Sequence, residues 1–319
     1  MPNRLALALL LHLPALVALN IAVVGGTGFV GSRVCAELVA KGATVTSLSK
    51  TGRAPTWASN QEWANQVTWV AVDLLGDEAA IDAAMGSPDS VVSCVGVVDS
   101  DKDALRRGNG EANIKAFASA KRGGVKRATY IGVSSEVAAC EEQWLPFAKD
   151  EFSAYFAGKL QAEQAVADAV GGDATKFCVL RPSFIYGGEA FEVPLPGKFV
   201  APRVSAAYGS AVEEVLSIGA VQALADAAPG LIKVALRPPV SVDAVARACA
   251  SAALGELATG DATRRAVGVL DGTAAIKAAA GDLPPRALSD ALDRALDKLG
   301  DLTQELLDAV NAKLDGKSK

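Results

Sequence analysis

Histidine is almost missing from this chain: the single one, His12, stands in the apolar N-terminal segment. That removes a Ser-His-Asp triad and any histidine-based metal site from the rest of the chain, since both need imidazoles at the reacting centre. Cysteine is sparse as well. The five, Cys35, Cys94, Cys140, Cys178 and Cys249, are odd in number and show no CxxC spacing. A disulfide framework or a zinc site is therefore not expected, and a reducing compartment fits better. Aromatic residues make up only 5% of the chain, and abundant Ala and Val suit helices packed tightly on a parallel sheet. Basic residues are scattered and the formal net charge is −5. The concentrated positive surface that nucleic acid requires is lacking. The apolar run from Leu5 to Leu19 is broken by His12 and Pro14, which makes it too short and too interrupted to read as a membrane span. With Arg4 ahead of it, residues 1–20 read as a targeting segment, the alternative being a retained apolar helix.

What is present is an alternation of short β-rich runs with helical stretches. Strands are expected at 21–24, 44–48, 67–72, 90–94, 128–133 and 176–180, with helices over about 32–41, 110–122 and 153–170. That order is the signature of an α/β, doubly wound parallel sheet with crossover helices. It occupies residues 21–187. Beyond Gly187, residues 188–237 are apolar and rich in Pro, Gly and Ala, without strand alternation. Pro238 to Asp243 then open a helix to about Leu254, and 266–270 read as a last short strand. Residues 188–283 are thus expected to form a small C-terminal substrate subdomain with returning elements of the main sheet. From Pro284, Leu288, Leu292, Leu296, Leu299, Leu302, Leu306, Val310 and Leu314 recur at spacings of three and four, predicting an amphipathic helical tail over 284–319.

The first strand runs into Gly25-Gly26-Thr27-Gly28-Phe29-Val30-Gly31, and a helix follows. This arrangement brings a pyrophosphate against a helix N-terminus, where free backbone N–H groups and the helix dipole favour an anion. Gly25 permits the tight turn, Gly28 the close approach of phosphate, and Gly31 the packing of helix on strand. A glycine-rich turn without a ligand is the plainer alternative. At the end of the second strand stand Ser49, Lys50 and Arg53, with no carboxylate among them. An acidic residue there would hold the ribose 2′-hydroxyl, whereas cations accommodate a 2′-phosphate, so NADP(H) is favoured over NAD(H). The alternative is that both cations are merely solvated. Asp73 and Leu74, closing the third strand, are placed to meet the adenine edge, though an Asp at a strand end is also a common turn former. Cys94, Val95 and Gly96 end the fourth strand toward the nicotinamide, with Cys94 read as a small hydrophobe rather than a nucleophile.

Tyr155 and Lys159 lie four apart, on one face of the expected helix. In a reductase the phenol exchanges a proton with the substrate oxygen, and the ammonium lowers its pKa and holds the nicotinamide ribose. Lys159 therefore counts among both the catalytic and the cofactor-binding candidates. Ser134 and Ser135 follow the fifth strand and offer a hydroxyl to complete such a site. The bland alternative is a Tyr packed on the sheet and a Lys on a solvated face.

The runs IAVVGGTGFVGSRVC, SLSKTGR, VVSCVG, NIKAFASAKRGGVKRATYIGVSS, YFAGK and LRPSFIYG resemble the atypical short-chain dehydrogenase/reductases, a branch of the extended NAD(P)-binding Rossmann proteins that includes the NAD-dependent epimerase/dehydratases. They are most similar to the plant chloroplast and fungal mitochondrial NAD(P)-binding proteins related to the nucleotide-binding accessory subunit of respiratory complex I. The resemblance covers about 21–255, including PPVSVDAVARACASAAL. It implies a Rossmann fold and places the active-site Tyr and Lys at Tyr155 and Lys159. Gly132 interrupts the serine run usual in the family, so Ser134 is the better match and Ser135 the fallback. Two functions are implied. One is an NADP(H)-dependent oxidoreductase on an apolar carbonyl or quinone-like molecule bound among residues 191–236. The other is a nucleotide-stabilised accessory or assembly subunit of an organelle membrane complex, its amphipathic tail docking on a partner protein rather than directly on a membrane surface, the alternative being a helix folded back on its own domain. A chloroplast or mitochondrion is the expected location, otherwise the cytoplasm.

Overall fold

The computed structural model describes residues 18–140, 149–188, 204–257 and 268–282. Seven strands make one parallel sheet: β1 Asn20–Val24, β2 Thr44–Ser49, β3 Val67–Ala71, β4 Ser90–Ser93, β5 Arg127–Ile131, β6 Phe177–Arg181 and β9 Val269–Asp271. A short parallel pair, β7 Ile185–Tyr186 and β8 Val240–Ser241, lies apart from it. The main order is β3-β2-β1-β4-β5-β6-β9. The chain winds outward from β1 through β2 to β3, then returns to β4 on β1's other side. Ligands of open α/β sheets bind at such a reversal, beyond the carboxyl ends of the strands.

The central strands carry nearly continuous apolar runs because both faces are covered. Val23 and Val45 face one core, under helices α1 (Phe29–Ala40) and α10 (Val242–Leu254); Val24, Val91 and Tyr130 face the other. The second core lies under α2 (Glu78–Met85), α4 (Ala112–Arg122) and α6 (Lys149–Ala169). Helix α1 presents Val34, Cys35 and Leu38 inward, all fully buried, and packs against the alanine-rich α10. Small side chains there let two helices and the sheet approach closely.

The structure adds elements that the residue pattern did not suggest. The helix expected from 110 begins earlier, as α3 (Lys102–Arg106) and a π-helical turn (Arg107–Glu111) leading into α4. Gly108 and Gly110 disguise it, because glycine weakens any helix reading. Both are needed for packing: a Cβ on Gly108 would stand 2.8 Å from Val97 Cβ, and one on Gly110 3.2 Å from Gly158 Cα of α6. Helix α2 was also unanticipated; Asp77 caps it, accepting from the Ala80 N–H at 3.1 Å.

The stretch after Gly187, which lacks strand alternation, holds three helices among its described residues, α7 (Ala206–Leu216), α8 (Gly219–Ala227) and α9 (Gly230–Ala235). Helix α5 (Ser135–Ala139) is tied to that stretch by Glu136, whose carboxylate takes a two-pronged contact from Arg237 at 2.6 and 2.7 Å. The Tyr186 hydroxyl donates to buried Glu213 at 2.8 Å, and Lys277 of α11 (Gly272–Ala279) pairs with the same carboxylate. The expected targeting segment (1–17 of it), the region 189–203 and the amphipathic tail lie outside the described residues.

Candidate dinucleotide site

A cleft of about 560 Å³ opens at the carboxyl ends of β1 to β4. Its floor is the glycine turn, with Gly25, Thr27 and Gly28 in the lining. Gly25 has φ +78°, and its N–H donates to the Leu48 carbonyl at 2.8 Å, tying the turn to β2. A Cβ on Gly31 would sit 2.8 Å from the Gly25 carbonyl carbon, so only glycine lets α1 start this close to the turn. Gly26 presses on the core, and a Cβ there would be 2.9 Å from Cys35 Sγ. Gly28 differs. Its missing Cβ meets only the Gly25 carbonyl oxygen, at 3.2 Å, and otherwise opens on the cleft.

Gly28 is the N-cap of α1, and neither a capping side chain nor an acidic first-turn residue answers the helix's leading N–H groups. Those donors and the dipole behind them form an anion-binding end. A pyrophosphate fits this cradle by the chemistry of its donors and by the space that a side chain on Gly28 would fill.

Around the floor, three strand ends contribute walls. Ser49 ends β2, with Lys50 and Thr51 after it; Val72, Asp73, Leu74 and Leu75 follow β3; Cys94, Val95, Gly96 and Val97 follow β4. A roof from α3, the π turn and α4 supplies Asp101, Asp103, Ala104, Arg107, Gly108 and Ala112. Lys50 and Asp73 approach to 3.7 Å, both largely exposed. Burial pushes the Cys94 thiol up to about 12, which leaves it protonated and unreactive near neutrality.

The structure thus gathers Gly25, Thr27, Gly28, Ser49, Lys50, Asp73, Leu74, Cys94, Val95 and Gly96 in one cleft, with Phe29, Val30 and Gly31 following on α1. Arg53 stands apart from these. It is exposed and outside the lining, because Gly52 (φ +57°) turns the chain against Ala71 of β3 before it. Arg107 was missed, since the glycines beside it hid its helix; it lines the cleft and pairs with Glu111 at 3.4 Å.

Lys159 approaches the cleft wall at Gly96 from α6 without joining the lining. It is 5% exposed, its Nζ donates to the Ile131 carbonyl at 3.0 Å, and a Cβ on Gly96 would lie 3.2 Å from that nitrogen. The ammonium also faces the rings of Tyr130 and Tyr155, 5.1 and 5.7 Å from their centroids. Burial pulls its pKa down to about 8. The Tyr155 phenol moves the other way: burial raises it to about 12. Burial is the cause that decides the phenol, and the lowering expected from Lys159 does not show in it. Ser134 is buried at the head of α5, beyond β5, its N–H donating to the Pro182 carbonyl at 3.0 Å and its hydroxyl not used as a helix cap. Ser135 instead gives its N–H to the Asp271 carboxylate, at 3.3 and 3.4 Å. Tyr155, Lys159 and Ser134 do not line the cleft itself; Lys159 lines a neighbouring cavity with Ser135, Glu163 and Arg181.

A parallel sheet that reverses between β1 and β4, with a glycine turn at the reversal and a cleft along its carboxyl edge, defines the Rossmann class of dinucleotide-binding proteins. The chain belongs to the NAD dependent epimerase/dehydratase family, which it matches over residues 21–226, so nicotinamide dinucleotide is its class of cofactor. It is 34% identical over 239 residues to an uncharacterized chloroplastic protein of Arabidopsis thaliana, covering 73% of this chain and 71% of the relative. It is 32% identical over 78 residues to MIOREX complex component 2 of Saccharomyces cerevisiae, covering 24% of this chain and 28% of that one. Among solved structures it is similar to a mutated uronate dehydrogenase (TM-score 0.52, 15% identity, 87% of this chain and 86% of the other). The UDP-Glc/GlcNAc 4-epimerase of Campylobacter jejuni gives a TM-score of 0.51 at 15% identity, with 75% of each chain covered. Those two likenesses concern the fold.

Proposed function

We propose that the protein is an NADP(H)-dependent oxidoreductase acting on an apolar carbonyl or quinone-like small molecule. The observation that carries this reading is the buried ammonium of Lys159 at Gly96, on the cleft edge, beside Tyr155 on the same helix. A bound nicotinamide supplies or accepts the hydride. The chain's own part is to hold the ribose through Lys159, donate the phenolic proton of Tyr155 to the substrate oxygen, and orient that oxygen with the Ser134 hydroxyl. Residues 188–283 serve as the substrate-binding part of this arrangement. Purified protein assayed for NADPH oxidation against a panel of quinones and carbonyls, with Tyr155→Phe as the control, tests the reading. Tight NADPH binding without turnover on any of them overturns it.

The NADP(H) preference rests on Lys50. Its contact with Asp73 is exposed and loose at 3.7 Å, so a 2′-phosphate can draw the ammonium away at little cost. Lys50→Ala is expected to weaken NADPH binding roughly tenfold, the loss of one charge-assisted contact, and to leave NADH nearly unchanged. Calorimetric titration of both nucleotides measures this. Equal affinities of the unaltered protein for NADH and NADPH sink the preference.

The yeast relative's membership of the MIOREX complex, in its printed name, favours a second reading: a nucleotide-stabilised accessory subunit in an organelle, consistent with the chloroplastic relative. Deleting residues 284–319 separates the two. Unchanged folding with loss of association supports the accessory role; lost turnover alone supports the enzyme.

A further inference from the structure

Glu163 stands one helical turn beyond Lys159 on α6, and its side chain is only 10% exposed. Arg181 at the end of β6 grips it from two directions, Nε at 3.1 and 3.2 Å from the two carboxylate oxygens and a terminal nitrogen at 2.5 Å. Gly132 is what lets the carboxylate lie there. A Cβ on Gly132 would collide with Glu163 Oε1 and stand 3.2 Å from Val179 Cγ1. The carboxylate therefore rests against Gly132, immediately beyond the Ile131 carbonyl that receives the Lys159 ammonium.

We propose that Glu163 is the positioning residue for Lys159: held by Arg181 against the bare backbone of Gly132, its carboxylate keeps the buried ammonium charged and aimed at Gly96. This deepens the reading of Lys159 as the group that holds the nicotinamide ribose. Among the described residues, the groups facing that ammonium are few. Tyr155 and Glu163 come from its own helix, Cys94 from the end of β4 and Tyr130 from β5. Arg181, which itself reaches Asp271 of β9 at 3.5 Å, acts through Glu163. Cys94 is a thiol held protonated by burial, so Glu163 is the one standing negative charge in that set. Desolvation lowers Lys159 to about 8, and the Glu163 charge opposes the fall.

The sign follows directly. Removing the negative charge makes the ammonium easier to deprotonate, so its titration moves to lower pH. Lysine-selective ¹³C labelling reads that titration in the intact, unliganded chain, with Lys159→Met identifying the resonance. Glu163→Gln is expected to shift the Lys159 midpoint down by roughly one unit. Gly132→Ser, which pushes the carboxylate away without removing it, is expected to move it the same way by less. Glu163→Asp, which keeps the charge, is expected to recover part of the shift. NADPH affinity is expected to fall severalfold at pH 8 in Glu163→Gln and to match the unaltered protein at pH 6. An unmoved midpoint in Glu163→Gln overturns the proposal, as does an affinity loss equal at both pH values, which marks a merely structural ion pair. A shifted midpoint in a protein that never turns over leaves this inference standing and removes only the enzymatic one.

Discussion

Gly28→Asp is expected to abolish dinucleotide binding while the protein stays folded. The substituted Cβ meets only the Gly25 carbonyl oxygen, at 3.2 Å, and Gly28 has φ −78° and ψ 176°, an extended conformation open to any residue. An aspartate there can even cap α1, which strengthens the helix start. Its carboxylate, however, occupies the mouth of the phosphate cradle and meets a pyrophosphate charge to charge. Juxtaposing like charges costs several kcal/mol, and each 1.4 kcal/mol is about tenfold in affinity, so a loss of about 100-fold or more is expected. Gly31→Val makes the informative contrast. There the Cβ would stand 2.8 Å from the Gly25 carbonyl carbon and 2.9 Å from Gly26 Cα. Helix and turn must separate, so stability falls by roughly 1–3 kcal/mol or more along with binding. Thermal melts beside NADPH titrations distinguish the two. Binding in Gly28→Asp within threefold of the unaltered protein would place the phosphates somewhere other than this turn.

The contrast shows where the sequence was legible. Strand–glycine turn–helix is a local signal: it names Gly25, Gly28 and Gly31 because turn geometry, phosphate access and close packing each act over a few residues. Parallel strands buried on both faces are similarly readable as short apolar runs, and all six expected in the sheet domain appear within a residue or two of their places. What failed was long-range. Gly108 and Gly110 look like helix breakers until Val97 and Gly158 are seen against them, so the roof of the cleft and Arg107 with it stayed hidden. Arg53 looked equivalent to Lys50 in sequence, yet Gly52 and Ala71 of β3 send the chain elsewhere. Gly132 read as a defect in a serine run, while in three dimensions it is the space that Glu163 needs. The helices at 206–235 are short and alanine-rich, and their identity comes from contacts such as Tyr186 with Glu213, which no local pattern announces.

Tyr155→Phe is expected to lower kcat for carbonyl reduction by about 10²–10⁴-fold, the usual contribution of a positioned general acid, with NADPH affinity unchanged. The substitution removes one oxygen. The ring keeps its edge-on contact with Phe156 at 5.4 Å and its face toward Lys159, so the fold and the ammonium's surroundings persist. The direction of the pH dependence is set by burial. With the phenol raised to about 12, Tyr155 is a protonated acid throughout the neutral range and is ready to donate in the reductive direction. Reduction is therefore expected to be flat with pH until Lys159 loses its proton near 8, and to decline above that. Alcohol oxidation requires the phenolate, and its rate is expected to climb about tenfold per pH unit over the neutral range, as the scarce ionised fraction grows. Paired pH–rate profiles in the two directions, for the unaltered protein and for Tyr155→Phe, measure this asymmetry. Turnover that survives the substitution undiminished, or an oxidation rate indifferent to pH, would show that the proton moves through some group other than this phenol.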